Sequence, residues 1–175
     1  MERLWNSYES RKEVMHMGTT TLVGQVLKKK GYGYTAIDPE ATAYDALEIM
    51  SNKNVGALPV LENGMIIGVF SERDYARKVI LHGKASKQTP VRQLMSSPPV
   101  TVNPKTSVQE CMKLMREHHV RHLPVMQDGV IVGVISMRDT VNAIILEQES
   151  TIEELEDYIS GKSYPGAGID SKNTR

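Results

Sequence analysis

Two short segments carry the residues most able to do chemistry: Gly68-Val69-Phe70-Ser71-Glu72-Arg73-Asp74 and Gly133-Val134-Ile135-Ser136-Met137-Arg138-Asp139. They stand sixty-five positions apart and share the Gly, the first Val, the Ser, the Arg and the Asp. Each ends an apolar run and opens a helical pattern, so Asp74 and Asp139 fall in the first helical turn. There the positive end of the helix dipole keeps a carboxylate ionised, and its two oxygens can accept a cis-diol through charge-assisted hydrogen bonds. The same spacing, Ser-x-x-Asp, is also that of a capping box, in which the pair does no more than satisfy helix amides. Thr42 with Asp45 and Ser107 with Glu110 have that spacing too, with capping as their whole expected role.

Other chemistry is poorly supported. There is no Gly-x-Ser-x-Gly, no phosphate-binding Walker loop and no His-Glu-x-x-His, and neither Ser71 nor Ser136 has a general base within its motif. His118, His119 and His122 straddle a helix-to-strand change and lack an acidic or cysteine partner, a poor metal set. Cys111 stands on an apolar helical face, where a small buried hydrophobe is the plain reading, and as the only cysteine it excludes an internal disulfide. The chain is therefore expected to be no enzyme and to hold no catalytic cofactor.

The elements that position the two motifs repeat with them. Ile37 and Val102 start short apolar stretches ended by Pro39 and Pro104. Ala43, Ala46, Leu47 and Met50, and equally Val108, Cys111, Met112 and Met115, recur at i, i+3, i+4 and i+7, the buried face of a helix. Apolar runs from Val55 and Val120 contain Leu58-Pro59-Val60 and Leu123-Pro124-Val125. Asn63-Gly64 and Asp128-Gly129 then mark tight hairpin turns, because both turn residues need positive φ. Val91, Leu94 and Met95 repeat an earlier Val23, Val26 and Leu27. The order in each copy is strand, helix, strand, strand, helix, and no gap interrupts the correspondence from Ile37 to Ala76. One copy has too few elements to close a core; two packed about a pseudo-twofold would bury both sheets.

This pattern predicts an α/β (α+β) fold of two β-α-β-β-α repeats, spanning residues 21–83 and 84–146. A flexible leader (1–20) precedes them, and a C-terminal helix (147–162) and a disordered tail (163–175) follow. Beyond Asp139 the apolar positions Val141, Ile144, Ile145, Ile152, Leu155, Tyr158 and Ile159 suggest one long helix or two in series. Lys28, Lys29 and Lys30 before Gly31 read as a solvated cap at a helix C-terminus.

Gross composition narrows the partners. The 175 residues suffice for one compact domain burying roughly 70% of its unfolded surface. Lys plus Arg (21) equals Asp plus Glu (21), which removes a bulk electrostatic attraction to nucleic acid or an anionic membrane. No apolar run approaches a membrane span, the start lacks a secretory signal, and the lone cysteine fits a reducing compartment. The expected location is the cytoplasm.

The paired Leu-Pro-Val strands, each followed by Gly-x-x-Ser-x-x-Asp, resemble the CBS domain, and their tandem arrangement resembles a CBS pair, or Bateman module. The resemblance covers about residues 20 to 145. It implies a non-catalytic regulatory module that binds an adenosine nucleotide (AMP, ADP, ATP or NAD) in clefts between the repeats, forms a homodimer and acts on a regulated partner. By residue match it implies ribose contacts from Ser71, Asp74, Ser136 and Asp139. Phosphate contacts would come from Arg121 and His122, with Arg73 and Arg138 beside the motif Asp residues. The adenine cleft would be formed by Thr35, Ile37, Val55, Ala57 and Val102. The first repeat has Gly56 and Ala57 where the second has Arg121 and His122. Phosphate affinity is therefore expected around Asp139, whose own repeat holds the cation, and less around Asp74. A ligand-free dimerisation scaffold is the alternative.

Overall fold

The computed structural model describes residues 20–160. The expected leader, save Thr20, and the tail lie outside the described residues, as does Gly161, the expected helix stop. Within them run α1 (Val23–Lys30), α2 (Ala43–Lys53), β1 (Ala57–Glu62), β2 (Met65–Ser71), α3 (Glu72–Tyr75, continued by a π-helical turn Ala76–Ile80), a 3-10 turn (Val91–Gln93), α4 (Val108–Glu117), β3 (His122–Gln127), β4 (Val130–Ser136) and α5 (Met137–Ile159).

Local chemistry accounts for most boundaries. Thr42 accepts from Asp45 N at 3.1 Å and donates its own amide to Asp45 Oδ2 at 3.0 Å, a complete box at the start of α2. Asn54 closes that helix in the left-handed region at φ 52°. Ser107 caps α4 through Glu110 N at 3.1 Å, but Glu110 does not reach back; its carboxylate lies 3.6 Å from Lys113 Nζ instead. Asn63-Gly64 and Asp128-Gly129 both take φ near 50° and 80°, the two-residue turn that suits the twist of the strands. The hairpins β1–β2 and β3–β4 share one register, with a bulge after Val60 and after Val125.

The expected first strand of each repeat is a single residue. Ile37 bridges in parallel to Val60, and Val102 to Val125, each through a pair of hydrogen bonds of 2.8–3.0 Å. Pro39 and Pro104, two residues on, have no amide to extend the ladder, and the helix caps follow at once.

The two cores cross the chain order. The first contains Ile37, Ala46, Met50, Leu58, Val60, Phe70 and Val79, and is completed by Val91 and Leu94. The second contains Val102, Val108, Cys111, Met115, Leu123, Val125 and Ile135, and is completed by Val23 and Leu27 of α1. The exchange is reciprocal. Val23 N donates to Thr106 O (2.9 Å), Gly24 N to Pro104 O (2.8 Å) and Val108 N to Thr21 O (3.0 Å). In the other half Val91 N donates to Ala41 O, Arg92 N to Pro39 O and Ala43 N to Thr89 O, all at 2.9 Å. Each exchanged segment lies against a glycine in the second strand of the hairpin whose core it completes. A Cβ on Gly133 would stand 3.0 Å from a Leu27 methyl, and one on Gly68 2.6 Å from Met95 Sδ. Arg92 fastens its segment further, pairing with Glu40 (2.6 Å) and Glu62 (2.5 Å). These crossings bring the C-terminal end of β2 beside the loop that enters β3.

Helix α5 is continuous from Met137 through Ile159 rather than broken near residue 146. Of its side chains, Thr140 and Ala143 are buried and Ile144 packs on the second core; Val141, Ile145, Ile152, Leu155 and Ile159 are exposed. Beyond Ile144 the apolar pattern of this helix therefore does not record burial against the described residues. No helix among the described residues is long and apolar enough to cross a membrane.

Candidate functional site

Ser71 and Ser136 terminate β2 and β4, and in both motifs the capping box is real. Asp74 Oδ2 accepts from Ser71 N (3.1 Å) and Ser71 Oγ (2.5 Å), while Ser71 Oγ accepts from Asp74 N (3.2 Å). Asp139 Oδ2 does the same for Ser136 N (2.8 Å) and Ser136 Oγ (2.7 Å). Capping occupies one oxygen of each carboxylate and leaves the other, Oδ1, for a different task.

At that second oxygen the repeats part. Asp74 Oδ1 lies 2.7 Å from Lys78 Nζ, one turn along, and accepts from Ser96 Oγ at 3.3 Å; Lys78 also donates to Leu94 O at 2.6 Å. Asp139 Oδ1 has no hydrogen bond among the described residues; its cation, Lys30, comes to Oδ2 at 2.7 Å and reaches Val134 O at 3.3 Å. Burial tends to raise the Asp139 pKa, but the bonds from Lys30 and Ser136 outweigh it and hold the carboxyl below its usual value. Lys30 is thus no solvated cap. Nothing in the sequence pairs residue 30 with residue 139; only the crossing of α1 onto the second repeat does.

A narrow cleft enclosing about 50 Å³ lies between the repeats and is lined by Val69, Ser71, Arg73, Asp74, Ser96, His119, Val120, Arg121 and His122. Arg121 and His122 therefore join Asp74 of the first repeat, and the expectation that they serve Asp139 is corrected. The reason is strand geometry: each motif lies at the end of its hairpin's second strand, and the reciprocal packing turns the loop before β3 toward the opposite hairpin. Arg121 is exposed, and its guanidinium has no hydrogen-bond partner among the described residues. Arg73 is engaged, donating through Nη1 to His119 O at 3.0 Å, so it holds the cleft's far wall. Arg138 is exposed and does not line this cleft.

His122 is half-buried between the two motifs. It pairs with Ser136 across the hairpin, and its ring would meet a Cβ on Gly56 at 3.4 Å. Gly56, the counterpart of Arg121, is thus where the ring fits. Burial chiefly, then the charges of Arg121 and Lys30, push the imidazole down to about 4 against an upward pull from Asp139. His122 accordingly offers this cleft a neutral hydrogen-bonding ring near neutral pH rather than a charge. An unfolded chain takes up a proton there near pH 6.5 and the folded one does not. The stability that neutral His122 contributes is complete above about pH 6.5. It drains by roughly 3 kcal/mol as pH falls to about 4. Urea titrations at pH 7 and 4.5 should show His122→Gln losing less stability on acidification than the parent; equal losses would refute the assignment.

None of the five residues expected to form the adenine cleft lines this one. Ile37 and Val102 are core residues at the parallel bridges, Ala57 is buried, and Val55 packs on the first core. Thr35 is half-buried in the crossing from α1. The apolar walls are instead Val69 and Val120, and Val120 is the repeat counterpart of Val55. Ser96 carries no sequence signal, His119 appears only in the poor metal set, and Lys78 could have been read from its i,i+4 spacing to Asp74. Cys111 is fully buried, which raises its thiol to about 11 and makes it a core residue.

The CBS domain family matches residues 23–80 and 91–146. Over 151 residues the chain is 36% identical to the mitochondrial CBS domain-containing protein CBSX3 of Arabidopsis thaliana, covering 81% of this chain and 73% of that one. It is 35% identical over 103 residues to the CBS domain-containing protein YhcV of Bacillus subtilis, covering 59% and 73%. A solved structure of a protein with CBS domains from Burkholderia ambifaria is 41% identical and superposes with a TM-score of 0.70, covering 73% of this chain and 96% of that one. Two matched segments, interlocked around a cleft between them, identify a tandem pair: the chain belongs to the CBS domain family, whose members are typically regulatory rather than catalytic.

Proposed function

We propose that the cleft at Asp74 binds an adenosine nucleotide (AMP, ADP, ATP or NAD) and that its occupancy is transmitted to a partner protein. The observation that carries this reading is one juxtaposition. The Asp74 carboxylate, able to accept ribose hydroxyls, shares a cleft with the unengaged guanidinium of Arg121, suited to phosphate. Val69 and Val120 supply apolar walls for a base; the enclosed part of the cleft is only about 50 Å³, so a nucleotide would lie largely in its open mouth or widen it. A ligand here would touch both repeats and favour one arrangement of the pair, by no more than its differential affinity for the two. We read the active form as a cytoplasmic homodimer.

By repeat equivalence, a second cleft would set Asp139 opposite Asn54, Val55, Gly56 and Ala57, without a cation from that loop. Lys30 is the cation there, and Asp139 Oδ1 is open. We assign it the weaker affinity for phosphate. A ligand-free scaffold remains the competing reading, favoured by one fact: both motif carboxylates are already matched by lysines, Lys78 and Lys30.

Titration calorimetry with AMP, ADP, ATP, NAD and adenosine decides. A nucleotide at 100 times its dissociation constant should add about 2.7 kcal/mol to stability. Arg121→Ala should weaken AMP by roughly 1.5–3 kcal/mol while leaving adenosine nearly unchanged. Equal losses for both ligands would remove the phosphate role, and no heat or stabilisation with any nucleotide would leave the scaffold.

A further inference from the structure

Helix α5 is about 34 Å long at 1.5 Å per residue, and its distal half leaves the body. Its last side-chain tie among the described residues is Gln109 Nε2 to Glu147 Oε2 at 3.0 Å; beyond it every described side chain is exposed. This stretch also lies past residue 146, where the family match ends.

A lone helix of this length is marginal in water, and this one opposes its own stability. Between Val141 and Ser160 the chain has six acidic residues and no basic one, although its overall net charge is zero. Glu149 and Glu153, then Glu153 and Asp157, are like-charged pairs one turn apart, and the last turn has acids at the negative end of the dipole. Something other than the helix must hold it.

The exposed apolar residues say what. Val141, Ile145, Gln148, Ile152, Leu155 and Ile159 follow one another at intervals of 4, 3, 4, 3 and 4, the seam of a heptad repeat. Gln148 interrupts it, and the exposed Leu146 lies outside it, at a b position. In this register Ile145, Ile152 and Ile159 take the a positions, and Val141, Gln148 and Leu155 the d positions. Branched residues at a with Leu at d favour two parallel strands. The acids agree. Glu147, Glu153, Glu154 and Asp157 fall at outward positions, while Glu149 and Glu156 fall at e. In a parallel pair these two e residues face Ile144 and Thr151, which are uncharged. An antiparallel pair would set them against their own copies.

We infer that α5 forms a parallel two-stranded coiled coil with α5 of a second copy of this chain over Ile145 to Ile159. This contact does not depend on the nucleotide reading and can be tested without ligand.

The test is site-directed crosslinking of the full chain. In a parallel, in-register pair Leu155 meets its own counterpart, so Leu155→Cys should give a covalent dimer on mild oxidation with diamide. Asp157→Cys, at an outward position, should give little. Cys111 is buried and is common to both variants. Amide exchange should be slow over residues 147–159 in the parent and at least tenfold faster in Leu155→Glu. Absence of the Leu155→Cys dimer, equal crosslinking at 157, or fast exchange in the parent would each overturn the inference.

Discussion

Leu27→Ala is expected to destabilise the protein by about 2–5 kcal/mol and to loosen the second repeat rather than the first. Leu27 is 1% exposed and belongs to the cluster of Cys111, Met115, Leu123, Val125 and Ile135. Its two methyls lie where a Gly133 Cβ would come within 3.0 and 3.1 Å, so strand and helix are in close contact with little room to collapse into a cavity. Near the N-terminus by number, Leu27 is in space a wall of the C-terminal core. Chemical denaturation gives the magnitude, and amide exchange gives the place. Protection should fall first over α4, β3 and β4. A loss confined to α2, β1 and β2 would contradict the exchanged packing.

The second large effect concerns the cleft. Asp74→Ala should lower nucleotide affinity about 10- to 150-fold, the 1.5–3 kcal/mol of a charge-assisted hydrogen bond. It should also lower stability by about 0.5–2 kcal/mol through the lost cap. These roles separate because they use different oxygens. Oδ2 caps the helix with Ser71, whereas Oδ1 is met by Lys78 and by Ser96, itself a lining residue of the cleft. Ser71→Ala removes most of the cap and keeps the carboxylate, so it should cost stability with a smaller change in affinity. Calorimetry and thermal denaturation on both variants read the two quantities independently. If Asp74→Ala binds AMP like the parent while unfolding earlier, the carboxylate is a cap alone.

The link between these results is the crossing of the chain. An exchanged segment gives each core residues from both stretches, so perturbing one stretch is felt in the other. Ser96 illustrates this at the site. It lies in the segment after the 3-10 turn, pairs with Val69 at 2.8 and 3.0 Å, and by that pairing reaches Asp74. Lys30 does the equivalent for Asp139 from the end of α1.

Elements set by near neighbours were legible from residue types. Both hairpins and both Ser-x-x-Asp caps stand where the spacing put them, and the α2 and α4 faces bury Ala43, Ala46, Met50, Val108, Cys111 and Met115, while Leu47 and Met112 are only half-buried. Glu110 shows the limit of such reading, since its spacing matched a box and its carboxylate lies beside Lys113 instead. The α5 stripe shows another: its apolar period was plain, but much of it is not buried against the described residues.

By itself the sequence determined the repeat, its two motifs, the turns and caps, and through them the family. Those features depend on backbone preferences and on contacts three or four residues apart, which one-dimensional spacing records. Which carboxylate shares a cleft with Arg121, which lysine neutralises Asp139, and which core each apolar segment completes were decided only by the tertiary structure. Contacts across the pseudo-twofold join residues forty-six to one hundred and nine positions apart, as Arg73 with His119 and Lys30 with Asp139 do. An internal repeat leaves that choice open, because identical units can pack by their own segments or by each other's. Here they pack by each other's, and the cation of the second repeat comes to lie beside the carboxylate of the first.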